Sequence, residues 1–209
     1  MSDAFITDPK EIERRSMELI APSLAHLNLS PEEHKIYSRI IHATGDVGYA
    51  DLIEIHPQAI ASGRKTLLGG GDIYTDVQMV RAGINKKKLA VWGGQVYSII
   101  AEAETAKLAA DCGITRSMAA MRLFGDKLNG SVVAIGNAPT ALFEVLRLVR
   151  EENIRPALIV GIPVGFVGAK EAKEALAQNG TVPYITVAGT KGGSSVAAAA
   201  VNAIMYLEN

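Results

Sequence analysis

Apolar residues recur along this chain with two different periods. In the first third they recur every three to four positions. Asp8-Pro9-Lys10-Glu11 has the form of an N-cap, a first-turn proline and a capping-box acid, and it opens the amphipathic run "EIERRSMELIAPSL". Ser30-Pro31-Glu32-Glu33 repeats the signal and opens "HKIYSRIIHA". Pro57 starts a third helical run, "QAIASGRKTLL", which the glycines Gly69–Gly71 stop.

Beyond this point short aliphatic or β-branched runs alternate with helical stretches. The runs are "GDIYT", "KLAVWG", "SVVAIGN", "ALIVGIP" and "PYITVAG"; the helical stretches include "AETAKLAADCG", "TRSMAAMRL", "PTALFEVLRLVREEN", "AKEAKEALAQNG" and "SSVAAAAVNAIMYL". Such alternation predicts crossover units and a mostly parallel sheet in a three-layer α/β/α sandwich. Nearly all-apolar strands such as "ALIVG" suit a sheet covered on both faces. Without a low-complexity linker or a fixed-period repeat, residues 1–209 read as one domain. In sheets of this kind ligands bind beyond the carboxyl ends of the strands, beside helix N-termini.

Charge and cysteine usage narrow the function. Lys and Arg number 21 against 22 Asp and Glu, a net charge of -1, so no global field favours nucleic acid or an anionic membrane. A highly charged ligand has to be held by local groups. The single cysteine, Cys112, excludes an internal disulfide and a Cys-rich metal site, and fits a reducing cytoplasm. "MSDAFITDPK" lacks the basic and apolar regions of a signal peptide. "PALIVGIPVGFVG" is short and broken by Gly and Pro, so no membrane span is expected.

Three helix starts have the makings of anion sites. "GIPVGFVGAKE" places Gly161, Gly165 and Gly168 before a helix with Lys170 in its first turn. "AGTKGGSS" places Lys191 beside Gly192 and Gly193. "GITRSMAAMRL" offers Thr115 as a cap, with Arg116 and Ser117 following. Each combines free N–H donors and a positive dipole end with a cation. The glycine spacing G-x-x-x-G-x-x-G is not the dinucleotide fingerprint, and "TKGGSS" is not in Walker order, so a phosphoryl-ligand enzyme is a distant reading.

No pair of histidines has zinc-site spacing, so no metal site is expected. His26 and His34 read as solvated surface residues, and His56 as a strand-end residue. His42 stands within "RIIHATGD", near the end of the helical run, sharing a flank with Ser38, while Ile36, Ile40 and Ala43 form the apolar stripe. Thr44 and Asp46 lie just beyond it, Asp46 within reach of its ring. On spacing alone His42 is either a helix-end cap or the titrating group of a site.

The segments "EIERRSMELI", "RIIHATGD", "GITRSMAAMRL", "GIPVGFVGAKEAKEAL" and "GTKGGSSVAAAAVNA" occur in this order from end to end, and together they closely resemble the precorrin-8X/cobalt-precorrin-8 methylmutase family of cobalamin biosynthesis. The resemblance implies a parallel sheet of about five strands and a homodimer with substrate near the subunit interface. It also implies the reaction, a 1,5-sigmatropic methyl shift on ring C that gives hydrogenobyrinate or its cobalt form. The catalytic histidine of the family falls on His42. No cofactor is implied, since a methyl migration transfers no group to the enzyme. The substrate is a macrocycle ringed by carboxylates, for which Arg14, Arg15, Arg116, Lys170 and Lys191 are suitable partners. Ser16, Ser117, Thr44, Asp46, Thr75 and the backbone of Gly192 and Gly193 complete the expected binding set. Arg81, Arg122 and Lys173 read as surface residues. A non-catalytic corrinoid carrier of the same fold is the alternative.

Overall fold

The computed structural model describes residues 5–207; the first four residues of "MSDAFITDPK" lie outside them. Helices α1 (Pro9–Leu24) and α2 (Pro31–Thr44) come first, followed by a 3-10 turn at Val47–Tyr49, strand β1 (Ile53–Ile55) and helix α3 (Ala59–Leu68). Then follow β2 (Ile73–Thr75), α4 (Gln78–Gly83), α5 (Lys86–Ala90), β3 (Val96–Tyr97), α6 (Ala103–Cys112) and α7 (Arg116–Phe124). The chain ends with β4 (Val132–Ile135), α8 (Pro139–Glu151), β5 (Leu158–Gly161), α9 (Ala169–Asn179), β6 (Tyr184–Val187) and α10 (Ser194–Met205).

The strands form one sheet in the order β1-β6-β5-β4-β2-β3, parallel except for the β1–β6 edge pair. Strand alternation feeds two cores. Val132, Ala134, Leu158, Val160, Ile185 and Val187 face the layer containing α2, α3 and α10, whereas Val133, Ile135 and Ile159 face α7, α8 and α9. Full burial of each such side chain contributes about 1.5–3 kcal/mol, and the expected three layers result.

Two details of the sheet differ from expectation. It has six strands rather than about five, because Ile53–Ile55, just before the strand-end residue His56, adds an edge whose antiparallel pairing three residues do not announce. "KLAVWG" is not a strand: the Asn85 side chain accepts the Lys88 N–H at 3.0 Å and starts α5, and the strand follows at Val96. A short apolar run fits either state.

The helix caps are partly as expected. Ser30 and Glu33 form the full reciprocal capping box of α2. At α1 Asp8 caps the Lys10 N–H, but Glu11 turns to Arg14 instead of back to the cap. Asp76 is fully buried and caps a different helix from its own: its carboxylate accepts N–H groups from Gly136, Asn137 and Ala138 at 3.2, 2.9 and 2.8 Å, in the loop entering α8. Burial pushes this carboxyl up, against the pull of those three donors.

Arg122 is not a simple surface residue, since it and Arg147 clamp the fully buried Glu144 at 2.9 and 2.7 Å. Burial raises the Glu144 carboxyl, but the two guanidiniums outweigh it and hold the group below its ordinary range. A folded-state value below the unfolded one stabilises the fold above about pH 4.3, and that stabilisation is lost as pH falls through the depressed value. Urea unfolding between pH 7 and 3 is therefore expected to show a steeper acid loss for the parent than for Glu144→Gln. Equal slopes would contradict this.

Candidate active site

The cleft forms where the C-terminal end of α2 meets the loops that follow β5 and β6. Helix α2 is anchored by buried Ile36, Ile40 and Ile41 and by the Tyr37 hydroxyl, which donates to the Ile53 carbonyl at 2.8 Å. Gly45, at φ 64, ends the helix in the left-handed conformation and returns its N–H to the Ile41 carbonyl at 2.9 Å. The Thr44 hydroxyl donates to Ile41 and accepts the Asp46 N–H, which fixes the exit of the chain.

The opposite wall is a pair of cross-linked loops. The Gly165 N–H donates to the Thr190 carbonyl, and the Gly193 N–H to the Ile162 carbonyl. Gly192 permits this contact: a Cβ there would sit 2.5 Å from the Ile162 oxygen and 2.8 Å from that of Pro163. Between the walls lies a hollow of about 530 Å³ lined by Ala43, Thr44, Asp46, Tyr49, Val164, Phe166, Lys191 and Ser195. A second hollow of about 580 Å³ meets it at Ala43 and Ser195 and runs between α2 and α10 past Arg39, Asn202 and Tyr206.

Lys191 dominates the electrostatics of the cleft. Its ammonium lies 2.5 Å from Asp46 Oδ2 and 5.3 Å from the centre of the Tyr49 ring. The bond to Lys191, helped by the Gly48 N–H, holds the Asp46 carboxyl below its usual range, and the bond to Asp46 raises the Lys191 ammonium. Burial raises the Tyr49 phenol, opposed by the Lys191 charge and the Gly192 N–H. Both partners of the Lys191–Asp46 pair are exposed, and an exposed ion pair is weak enough for another carboxylate to displace Asp46. Ser194 opens α10 without a side-chain cap, so the positive end of that helix faces the same space.

His42 is exposed, one residue before Ala43 and two before Thr44, and its ring has no hydrogen-bond partner among the described residues. Two expectations about its surroundings are corrected. Ser38, one turn before His42, is buried and turned to His34, whereas His42 is exposed; and Ala43, expected in the apolar stripe, lines the cleft. Asp46 does not orient the imidazole: its oxygens accept from Lys191 and the Gly48 N–H, and no hydrogen bond joins it to His42.

Thr44, Asp46, Lys191 and Gly192 are thus brought together in the cleft, with His42 adjacent. The other expected residues lie elsewhere. Arg14 and Arg15 pair along α1 with Glu11 and Glu18, and the Ser16 hydroxyl donates to the Ile12 carbonyl. Thr75 is fully buried, donating to the Tyr97 carbonyl at 2.8 Å. Arg116 and buried Ser117 start α7 in the other helical layer, where Thr115 touches Thr140. Lys170 lies 3.7 Å from Glu174 beside a separate small hollow. The Gly193 N–H is committed to Ile162 and is no free donor.

Tyr49, Ser195, Val164 and Phe166 were not expected in the cleft. Lys173 was expected on the surface but is 1% exposed, its ammonium donating to the Lys191 carbonyl at 2.6 Å. The signal for it was periodicity: Ala169, Ala172, Lys173 and Leu176 fall at i, i+3, i+4 and i+7 on the buried face of α9.

Among the described residues no group of three or more His, Cys, Asp or Glu is placed to hold a metal, and no helix is long and apolar enough to cross a membrane. Comparison with known proteins gives one consistent result. The family described as precorrin-8X methylmutase matches residues 11–207. A cobalt-precorrin-8 methylmutase of Leptospira interrogans is 41% identical over 96% of this chain and 94% of its own length, and a precorrin-8X methylmutase of Pseudomonas aeruginosa is 42% identical over 96% of both. A crystal structure of the precorrin-8X methylmutase from Thermus thermophilus superposes with a TM-score of 0.84 at 35% identity, covering 94% of each chain. The chain belongs to the precorrin-8X methylmutase family.

Proposed function

We propose that this protein is an isomerase that shifts a methyl group between neighbouring ring-C carbons, converting precorrin-8X to hydrogenobyrinate or cobalt-precorrin-8 to cobyrinate, with His42 as the proton donor and acceptor. The observation that supports the assignment to His42 is an exposed imidazole next in the chain to Ala43 and Thr44, which line the cleft. Histidine is the side chain suited to exchanging a proton near neutral pH. Protonation of the conjugated ring leaves the carbon that receives the methyl group electron-poor; the methyl group moves to it with its bonding pair, the positive charge passes to the carbon it leaves, and return of the proton to the imidazole restores a neutral conjugated ring. Substrate and product are isomers, so no cofactor is consumed.

The rest of the cleft positions the ring. A carboxylate of the substrate takes the place of Asp46 on Lys191, the α10 N-terminus adds its dipole, and the apolar walls Val164 and Phe166 meet the macrocycle. The two joined hollows suit a ligand wider than either one. A homodimer with the cleft near its interface belongs to the same proposal: Phe166 and Val167, 95% and 90% exposed, are apolar surface for a second copy to cover. So does a cytoplasmic location, which the single exposed Cys112 suits.

Lys191→Met is expected to weaken hydrogenobyrinate binding about tenfold and to flatten its salt dependence. Absorbance titration at two salt concentrations measures both; unchanged affinity would remove Lys191 from the binding set.

A further inference from the structure

Lys173 lies outside the cleft, yet its ammonium is buried and bonded to the backbone of a cleft residue. We propose that Lys173 is a positioning residue for the anion-holding end of the site: by gripping the Lys191 carbonyl from behind, it sets where the Lys191 side chain stands. The inference rests on the proposed role of the cleft in holding a polycarboxylate ring.

The geometry is specific. The Lys173 ammonium has three donors, and the Lys191 carbonyl, at 2.6 Å, is the one hydrogen-bond partner it finds among the described residues. No carboxylate there is within ion-pair distance, although Glu54 of β1 and Glu174 of α9 share with it a hollow of about 170 Å³, together with Lys170 and Thr186. Burial lowers the ammonium to about 8, so near neutral pH it is largely charged and a strong donor. Packing alone does not explain the residue, since a methionine fills the same space without desolvating a charge.

What the ammonium holds is the peptide that aims Lys191. On one side Lys173 of α9 grips the Lys191 carbonyl; on the other the Gly193 N–H is tied to Ile162, and the bare Gly192 is pressed against the Ile162 and Pro163 carbonyls. Clamped from both sides, the loop presents the Lys191 side chain to Asp46 and Tyr49 in the cleft. Losing the Lys173 bond frees one side of the clamp, so Lys191 is no longer held in place before a ligand arrives, and the ordering cost passes to binding.

A double-mutant cycle tests this. Hydrogenobyrinate is titrated by visible absorbance into the parent, Lys173→Met, Lys191→Met and the double variant, and the melting temperature of each is measured. Lys173→Met is expected to weaken binding about tenfold in the parent but not in the Lys191→Met background, with melting unchanged or raised. An equal loss in both backgrounds, or parent-like binding by Lys173→Met, would overturn the proposal. If Lys173→Met does not fold, Lys173→Leu, which likewise keeps no donor, runs the same cycle with the same two outcomes. A parent that binds no hydrogenobyrinate refutes the functional assignment itself, and this inference with it.

Discussion

His42→Ala is expected to lower kcat for precorrin-8X by about a hundred- to ten-thousand-fold, the usual contribution of one positioned proton donor, while hydrogenobyrinate still binds with nearly parental affinity. The two halves of this expectation have separate physical grounds. The imidazole is exposed and makes no hydrogen bond or ion pair among the described residues, so its removal leaves no buried group unsatisfied. The carboxylates of the ligand are held by Lys191 and the α10 dipole, which the substitution leaves in place. A carrier without chemistry would show the second half and never the first, because its parent protein would not change the spectrum of precorrin-8X at all.

The largest structural effect is expected at Asp76. Replacing it by alanine removes the acceptor of three N–H groups at once, two of them on buried residues and one at Asn137. Each unsatisfied buried donor costs about 1–3 kcal/mol, so Asp76→Ala is expected to lose about 3 kcal/mol or more. For a chain of this size that lowers the melting temperature by about 6–12 °C. A calorimetric scan showing a loss under 2 °C would mean that water or a rearranged loop satisfies those groups and that Asp76 does not hold the entry to α8.

Much of the architecture was legible because it follows from local rules. Ser30 and Glu33 lie three apart before an apolar run, and both halves of their capping box form. All-apolar runs such as Leu158–Gly161 had to be covered on both faces, and they are. Strand pairing was not legible. The antiparallel partner of Ile53–Ile55 lies at least 130 residues away at Ile185–Val187, and three residues carry no sign of direction. "KLAVWG" failed for the related reason that its side chains suit a strand, while the Asn85 cap that decides for a helix lies outside the quoted run.

The site divides along the same line. Residues next to the "RIIHATGD" and "KGG" motifs did converge, because a helix end and a strand-end loop are placed by the fold itself. Arg14, Arg15 and Lys170 lie apart from this cleft and pair with Glu11, Glu18 and Glu174 about one turn away, contacts that residue chemistry alone does not announce. Lys173 is the residue that sequence reasoning misplaced. Its charge suggested solvent, whereas its position on the stripe with Ala169, Ala172 and Leu176 pointed inward, and position prevailed.

The most direct test is a crystal structure with hydrogenobyrinate bound. The macrocycle is expected to span the two hollows with ring C facing α2, a His42 nitrogen within about 3.2 Å of the conjugated system and a peripheral carboxylate on Lys191 in place of Asp46. A ring seated away from the end of α2, with the imidazole still facing bulk water, would contradict the account.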